Sequence, residues 1–296
     1  MTGVTERIRS LPLWRGPIVI APLSGGLSNE SFVVSDDAGR HVVRFGKDYP
    51  FHHVLREREV MTARAAEAAG FAPAVEHAGP GVMVSAFIDG RTFEAADVCA
   101  HGEAIAAMMA RFHRDMPARV TGPGFMFWPF HVVRDYVHSL SAAGGTDADV
   151  LARALRQADA LERQQVALPI VFGHNDLLPA NFIHDGERLW LIDFEYAGFS
   201  TAMFDLAGIA SNAGMSSGQA DDLLGAYFGY APGEALRRSH SAMQCASLLR
   251  EALWGLVSRI HLAAPGVDYD AYAAENFTRL AASLDRHQTH FGRLDP

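Results

Sequence analysis

The chain has 296 residues, with 25 lysines and arginines against 34 aspartates and glutamates, so its formal net charge is −9 at neutral pH. This acidic balance argues against nucleic acid as a partner, because phosphate backbones need basic surfaces. Cys99 and Cys245 define neither a disulfide framework nor a metal-ligand set. The first residues lack a signal peptide's apolar stretch, and no apolar run approaches the roughly 18 residues of a membrane span. We therefore expect a cytoplasmic protein of one large domain or two lobes, with no membrane partner.

The first 88 residues alternate short apolar runs with turn residues, which is typical of a small antiparallel sheet. An alanine-rich segment with interspersed arginine and glutamate predicts one helix that ends before Gly70. Residues 1–16 form an amphipathic lead-in. The expected strands are 17–23, 32–34, 41–45, 74–75 and 82–87, and the expected helix is 54–69.

Residues 88–91, Ile-Asp-Gly-Arg, predict a hinge, and most of the chain beyond them is predicted to be helical. The expected helices are 101–114, 132–140, 147–165, 203–212, 218–228, 234–261 and 270–288. The fold class is therefore α+β, with a small antiparallel β-sheet lobe and a large, mainly helical lobe. We expect a nucleotide-binding lobe at residues 1–88 and a catalytic and substrate lobe at residues 89–296.

A strand–loop–strand segment ending near Tyr196 carries the clearest chemistry. Apolar runs at 168–172 and 189–192 each end in polar residues, as buried strands that present side chains at a cleft do. Asp176 is the candidate base that orients an acceptor hydroxyl toward a γ-phosphate and accepts its proton. Asn181 and Asp193 supply the oxygen ligands that magnesium on nucleotide phosphates prefers. Alone, Asp176 would be an Asx turn or helix cap; together the three predict phosphoryl transfer from a magnesium-bound nucleotide.

Two further groups have structural interpretations. His174 either positions the Asp176 loop or is a hydrogen-bonded core histidine, and the structural role is favoured. Asp205, at a helix start, is expected to accept backbone N–H groups and brace the same loop. The triplet at 113–115, His-Arg-Asp, spells a protein-kinase catalytic motif, but no Asn follows five residues later, so we interpret it as a helix C-terminus.

The N-terminal lobe offers residues for a nucleotide. Arg44 lies in an apolar strand, and its cation calls for an anion: nucleotide phosphates, or a carboxylate of the first helix, Glu59 or Glu57. A small-residue loop between two strands can donate N–H groups to phosphates, although such a loop is more often only a turn. The strand before the hinge adds Ser85 and Phe87 to the expected nucleotide-binding residues. The loop residues are Ser24, Gly25, Gly26, Leu27, Ser28 and Asn29.

Aromatic residues cluster late in the chain. Trp254 lies on a helix with apolar neighbours, so core packing explains it, yet Trp and Tyr faces also bind quaternary ammonium groups well. Glu195 and Asp270 are candidates for the accompanying negative charge. The residues alone leave both interpretations open. The expected substrate-binding residues are Glu195, Tyr196, Trp254, Tyr269 and Tyr272.

These motifs resemble a known family. Residues 173–181, Gly-His-Asn-Asp-Leu-Leu-Pro-Ala-Asn, with residues 191–196, Leu-Ile-Asp-Phe-Glu-Tyr, are similar to the choline/ethanolamine kinase group of the aminoglycoside-phosphotransferase-like superfamily. The loop at 24–29, the Val43-Arg44 strand and residues 253–256, Leu-Trp-Gly-Leu, extend the likeness from about residue 20 to 280. The resemblance implies a protein-kinase-like fold, with Asp176 as base, Asn181 and Asp193 as magnesium ligands, and Trp254 in the acceptor pocket.

One departure from the family pattern concerns the acceptor. Eukaryotic choline kinases have a second Trp three residues after the first, whereas this chain has Val257. The expected function is ATP-dependent phosphorylation of choline or a related cationic amino alcohol. Ethanolamine, thiamine and aminoglycosides stay open as acceptors. A metal-dependent hydrolase using His174, Asp176 and Asp193 is the alternative class, but it leaves the loop at 24–29 and Arg44 without a purpose.

Overall fold

The computed structural model describes residues 2–23, 30–262, 264 and 266–294. The strands, in chain order, are β1 (Val19–Pro22), β2 (Glu30–Ser35), β3 (Arg40–Phe45), β4 (Val75–Gly79), β5 (Val82–Ala86), β6 (Arg91–Thr92), β7 (Ile170–Gly173), β8 (Phe182–His184), β9 (Leu189–Leu191) and β10 (Gly198–Thr201). The helices are α1 (Thr2–Arg9), α2 (Arg56–Ala68), α3 (Ala95–Ala100), α4 (Gly102–Asp115), α5 (Pro129–Ala143), α6 (Ala148–Glu162), α7 (Ala202–Asn212), α8 (Ser217–Phe228), α9 (Glu234–His261) and α10 (Tyr269–Phe291).

The chain divides into two compact units. The first comprises Met1–Thr92 and Phe182–Glu195, and the second comprises Phe93–Asn181 and Tyr196–Pro296. These units differ from the expected lobes 1–88 and 89–296 in that the first unit ends at Thr92 and also includes the segment containing β8 and β9. Backbone pairing explains this: β8 pairs with both β9 and β6, and the Leu191 N–H donates to the Phe71 carbonyl at 2.8 Å.

The first unit is built on a five-stranded antiparallel sheet with strand order β1-β2-β3-β5-β4. One sheet face buries Val34, Val43 and Val84, and α1 packs on this face through the fully buried Ile8. Because side chains alternate along a strand, Arg44 lies on the opposite face, opposite Met83 in register. The apolar core thus fixes the direction in which β3 presents its arginine.

The second unit is mainly helical around one long helix. Many side chains of α9 are buried, and α9 packs against α10 and α7. Gly255 permits the close approach of α9 to α10, since a Cβ there would lie 3.0 Å from the Ala273 Cβ and 3.1 Å from the Tyr269 carbonyl. This packing fixes where the aromatic residues of both helices meet.

Two elements of this unit were not predicted. The strand β10 pairs antiparallel with β7, with Gly198 opposite Gly173, and the short helix α3 precedes α4. Neither carries the apolar pattern that identifies a strand or helix from sequence. The helices α4 to α10 and the strand β7 of this unit lie within a few residues of their predicted positions. Among the described residues, none of the helices combines the length and apolar character needed to cross a membrane.

We predict that buried His240 of α9 makes the free energy of unfolding decrease as the pH is lowered. Burial lowers its pKa from 6.5 to about 4, so below about pH 6.5 the unfolded chain binds a proton that the folded chain refuses. Between pH 7.5 and 4.5, this linkage costs about 2 kcal/mol. In urea unfolding, the free energy of unfolding of His240→Gln should therefore decrease between these two pH values by that much less than the free energy of the wild type. Equal losses in both proteins would contradict the prediction.

Candidate functional site

A buried carboxylate holds the loop that follows β7. Asp205, 2 % exposed, accepts the backbone N–H of His174 through Oδ2 at 2.8 Å and that of Asn175 through Oδ1 at 2.7 Å. Its Oδ2 also lies 2.8 Å from His113 Nε2. The chain passes so close that a Cβ on Gly173 would lie 3.1 Å from Asp205 Oδ2. The expected bracing role of Asp205 is confirmed, and His113–Asp115 does end a helix, α4.

The backbone at Asn175 turns sharply before Asp176. Asn175 has a φ of 64°, in the left-handed region that non-glycine residues adopt at some cost. Its side-chain N–H₂ donates to the carbonyls of Tyr196 at 3.1 Å and Gly198 at 3.2 Å. These bonds tie the loop to β10 and hold the turn that leaves Asp176 half-buried at its end.

The next turn supports Asp176 from the other side. A 3₁₀ turn at Pro179–Asn181 positions buried Asn181, whose Nδ2 donates to the Asp176 carbonyl at 2.7 Å. This bond leaves the Asn181 Oδ1 as the polar atom available to a cation. The structure thus joins two of the predicted residues, Asp176 and Asn181, in one rigid loop.

The charge of Asp205 is maintained by its partners. Burial by itself would raise the pKa of the Asp205 carboxyl, but the hydrogen bond with His113 and the His174 backbone N–H outweigh burial and lower that pKa. His113 is held in turn by Tyr227, whose hydroxyl lies 2.7 Å from Nδ1. His174 is completely buried, which agrees with a structural role.

The first unit contains a chain of ion pairs centred on Arg44. Arg44 contacts Glu59 of α2 and donates through Nη1 to Asp193 Oδ1 at 2.6 Å. Arg56 bonds both Glu59 at 2.6 Å and Glu195 at 3.0 Å. Of the anions predicted for Arg44, the helix carboxylate Glu59 is therefore present, and Asp193 is an additional one.

Electrostatics in this group favour the charged state of Arg44. Burial would lower the pKa of Arg44, but Asp193 and Glu195 outweigh burial and raise it. Burial and the neighbouring Asp193 raise the pKa of the Glu195 carboxyl despite the opposing arginines. Asp193 has a φ of 68°, so the site places a second strained backbone directly at a predicted ligand.

Of the remaining residues predicted to bind the nucleotide, the structure describes Ser85 and Phe87. The loop Ser24–Asn29 lies outside the described residues. Ser85 belongs to β5, opposite Val42, and the Phe87 ring is covered by the Arg40 guanidinium at 4.2 Å from its centroid. A cavity of about 610 Å³ in the first unit is lined by Arg44 and Glu59 together with Lys47, Arg56 and Arg64, but not by Ser85 or Phe87.

The predicted aromatic residues of the second unit converge. The Trp254 indole N–H donates to the Tyr196 hydroxyl at 3.0 Å. The Trp254 ring lies 6.1 Å from that of Tyr269 and 5.4 Å from that of Tyr272, both edge-to-face. All four residues therefore form one cluster, whose members come from α9, α10 and the segment after β9.

The charged residues of this cluster were missed by sequence analysis. Glu251 accepts from the Tyr272 hydroxyl at 2.8 Å and pairs with buried Arg250. Asp270 instead pairs with Arg259 at 2.8 Å, with 64 % of its side chain exposed, and Glu195 pairs with Arg56. The spacing of Glu251 three residues before Trp254 places both on one helix face, a signal available in the sequence.

Metal ligation rests on few protein atoms. Within the described ranges, no group of three or more His, Cys, Asp or Glu side chains converges as metal ligands. Magnesium carried by nucleotide phosphates needs only one or two protein oxygens. In the second unit the Asn181 Oδ1 is an oxygen of this kind, and in the first unit the partly exposed carboxylate of Asp193 is another.

Comparison with solved structures identifies the fold. A choline/ethanolamine kinase family protein from Mesorhizobium loti is 28 % identical, with a TM-score of 0.77 and 99 % of both chains covered. The choline kinase LicA from Streptococcus pneumoniae is 19 % identical, with a TM-score of 0.76, and the match covers 96 % of this chain and 98 % of that one. The chain is therefore a protein of the kinase-like phosphotransferase class, and the predicted α+β, protein-kinase-like fold is confirmed.

Sequence comparison then gives the family. The model of the phosphotransferase enzyme family, APH, matches residues 19–238, and the chain belongs to this family. A probable ethanolamine kinase of Arabidopsis thaliana is 30 % identical over 206 residues, which are 62 % of this chain and 53 % of the relative. The match thus spans about half of that relative's length. The resemblance to the choline/ethanolamine kinase group is confirmed.

We predict that Asp205→Asn destabilises the second unit. The amide N–H₂ of Asn faces N–H donors that the carboxylate accepted, and one buried bond is lost, at a cost of about 3 kcal/mol. The measurement is urea unfolding at pH 7. Asp221→Asn, which removes an exposed pair with Arg237, is the matched control and should change stability by less than about 0.5 kcal/mol. Equal small effects for both variants would argue against the bracing role.

Proposed function

We propose that the protein transfers the γ-phosphate of ATP to the hydroxyl of a small cationic amino alcohol of the choline/ethanolamine class. The observation that supports this most is the electrostatic effect of Asp176 on residues of the aromatic cluster. The Asp176 charge acts on Arg250 and on Tyr272, so the candidate base lies within electrostatic reach of the cluster. A cation held by aromatic rings there would have its hydroxyl close to a carboxylate.

Asp176 acts on the acceptor in this proposal. Its carboxylate accepts a hydrogen bond from the acceptor hydroxyl, which directs the oxygen lone pair toward the γ-phosphorus. As the new O–P bond forms and the bond to the β-phosphate oxygen breaks, the hydroxyl proton passes to Asp176. The products are ADP and a phosphomonoester. The bond that Asn181 donates to the Asp176 carbonyl, and the bonds that the preceding backbone N–H groups donate to Asp205, keep the carboxylate in place.

The nucleotide phosphates are assigned to two magnesium ligands and one arginine. We assign Asn181 Oδ1 and the Asp193 carboxylate as ligands of Mg²⁺, which neutralises charge on the β- and γ-phosphates when bound. Arg44, kept cationic by its carboxylate partners, is assigned to the nucleotide phosphates, with Glu59 holding it in place. The loop at 24–29 and the strand residues Ser85 and Phe87 stay proposed nucleotide contacts.

Acceptor recognition is assigned to the aromatic cluster. Tyr196, Trp254, Tyr269 and Tyr272 offer ring faces, which attract an ammonium group. The sequence placed Glu195 in the acceptor site. Glu195 also pairs with Arg56 and raises the pKa of Arg44, so we assign it a second role in keeping Arg44 charged. The acidic net charge of −9 also suits a cationic substrate.

We expect Asp176→Asn to lower kcat by at least about 100-fold, because the amide cannot take the hydroxyl proton. The Kd for MgATP should change less than about threefold, since Asp176 is assigned to the acceptor rather than to phosphate. Coupled detection of ADP and calorimetric titration of MgATP measure the two quantities. Asp222→Asn, on the exposed face of α8, is the control for a lost surface carboxylate. Full activity in Asp176→Asn would show that another group is the base.

A further inference from the structure

Glu251 is a carboxylate in direct contact with the aromatic cluster. It precedes Trp254 by three residues on α9, and its Oε2 accepts a hydrogen bond from the Tyr272 hydroxyl at 2.8 Å. About 19 % of its side chain is exposed, whereas only 2 % of the Arg250 side chain is. Glu251 is therefore both part of the cluster and reachable by a small molecule.

Both oxygens of Glu251 are held in place. Arg250 contacts Oε1 through Nη1, and its guanidinium lies over the Tyr196 ring at 4.6 Å from the centroid. Burial would lower the pKa of Arg250, but Glu251 outweighs burial and raises it, so the guanidinium stays charged. Each carboxylate oxygen accepts one bond in this arrangement and retains the capacity for a second. The carboxylate is thus preorganised without being saturated.

Two other observations connect Glu251 with the acceptor. Burial and then Glu251 raise the pKa of Tyr272, and the charge of Asp176 adds to this increase. In addition, the buried Tyr269 hydroxyl has no hydrogen-bond partner among the described residues. A buried hydroxyl usually has a partner, so the Tyr269 hydroxyl is a polar group that a ligand in the cluster can pair with.

We propose that Glu251 binds the acceptor's ammonium group through N–H donors and so selects primary amino alcohols over quaternary ones; this inference rests on the function proposed above. A primary ammonium has three N–H donors for the remaining Glu251 acceptor sites, and a trimethylammonium group has none. A quaternary group instead needs surrounding ring faces. Here Trp254 packs edge-to-face with Tyr269 and Tyr272, and buried Val257 adds no ring.

The test compares kcat/KM for ethanolamine and choline at saturating MgATP. The wild type should prefer ethanolamine. Glu251→Gln keeps a hydrogen-bond-accepting oxygen and the shape of the side chain but removes the charge. It should raise the KM for ethanolamine at least about tenfold, which is the loss expected for a charge-assisted hydrogen bond. The ethanolamine-to-choline ratio of kcat/KM should fall at least about fivefold, with the KM for ATP unchanged. Asp270→Asn, whose carboxylate pairs with Arg259 on the surface, should leave the ratio as it was.

Tyr272→Phe keeps the test decisive if Glu251→Gln does not fold. It removes the hydroxyl that orients Glu251 and retains the ring, so the KM for ethanolamine should rise about threefold to tenfold and that for choline should not. An unchanged ratio in the folded variants, or a loss confined to kcat, overturns the role of Glu251 alone. Failure of the wild type to phosphorylate either alcohol overturns the proposed function and this inference with it.

Discussion

The second unit depends on one buried carboxylate that receives two consecutive backbone N–H groups. Asp205 lies in the first turn of α7, and its oxygens accept the N–H groups of His174 and Asn175 just where β7 ends. Unpaired buried N–H groups would cost one to three kcal/mol each, roughly, so the loop has little freedom to adopt another course. The strained turn at Asn175 persists because Asp205 and the carbonyls of Tyr196 and Gly198 determine it from both sides. These bonds therefore fix the position of Asp176, the next residue.

In the first unit, carboxylates keep an arginine charged within an apolar sheet. Arg44 leaves the sheet on the face opposite to the Val43 core and meets carboxylates from α2 and from the segment after β9. Removing one partner of such a buried group is expensive, whereas the intact group adds little net stability. Its contribution is therefore positional, because Arg44 holds the Asp193 side chain, which is 27 % exposed. Glu59 and Arg56 extend the same group to Glu195.

The sequence predicted the parts that depend on local pattern. Apolar periodicity located the long helices, and the polar clusters after 168–172 and 189–192 located Asp176, Asn181 and Asp193. Asp205 was predicted from its place at a helix start. The strand Gly198–Thr201 was missed because Gly-Phe-Ser-Thr has no apolar run and exists only through pairing with β7. His113 was dismissed with its motif, yet it supports Asp205 across 92 residues of chain. Glu251 and Arg250 were missed because charged neighbours on a helix are common, and only tertiary packing shows which are buried.

The most direct test is phosphorus NMR of the wild-type protein with MgATP and ethanolamine in one sample. Phosphoryl transfer predicts ADP and a phosphomonoester resonance that grow in equal amounts, with no comparable inorganic phosphate and with no reaction when ethanolamine is omitted. Release of inorganic phosphate instead of the ester would indicate hydrolysis. Unchanged ATP with ethanolamine, choline and other amino alcohols alike would contradict the assignment of Asp176 and the aromatic cluster to phosphoryl transfer.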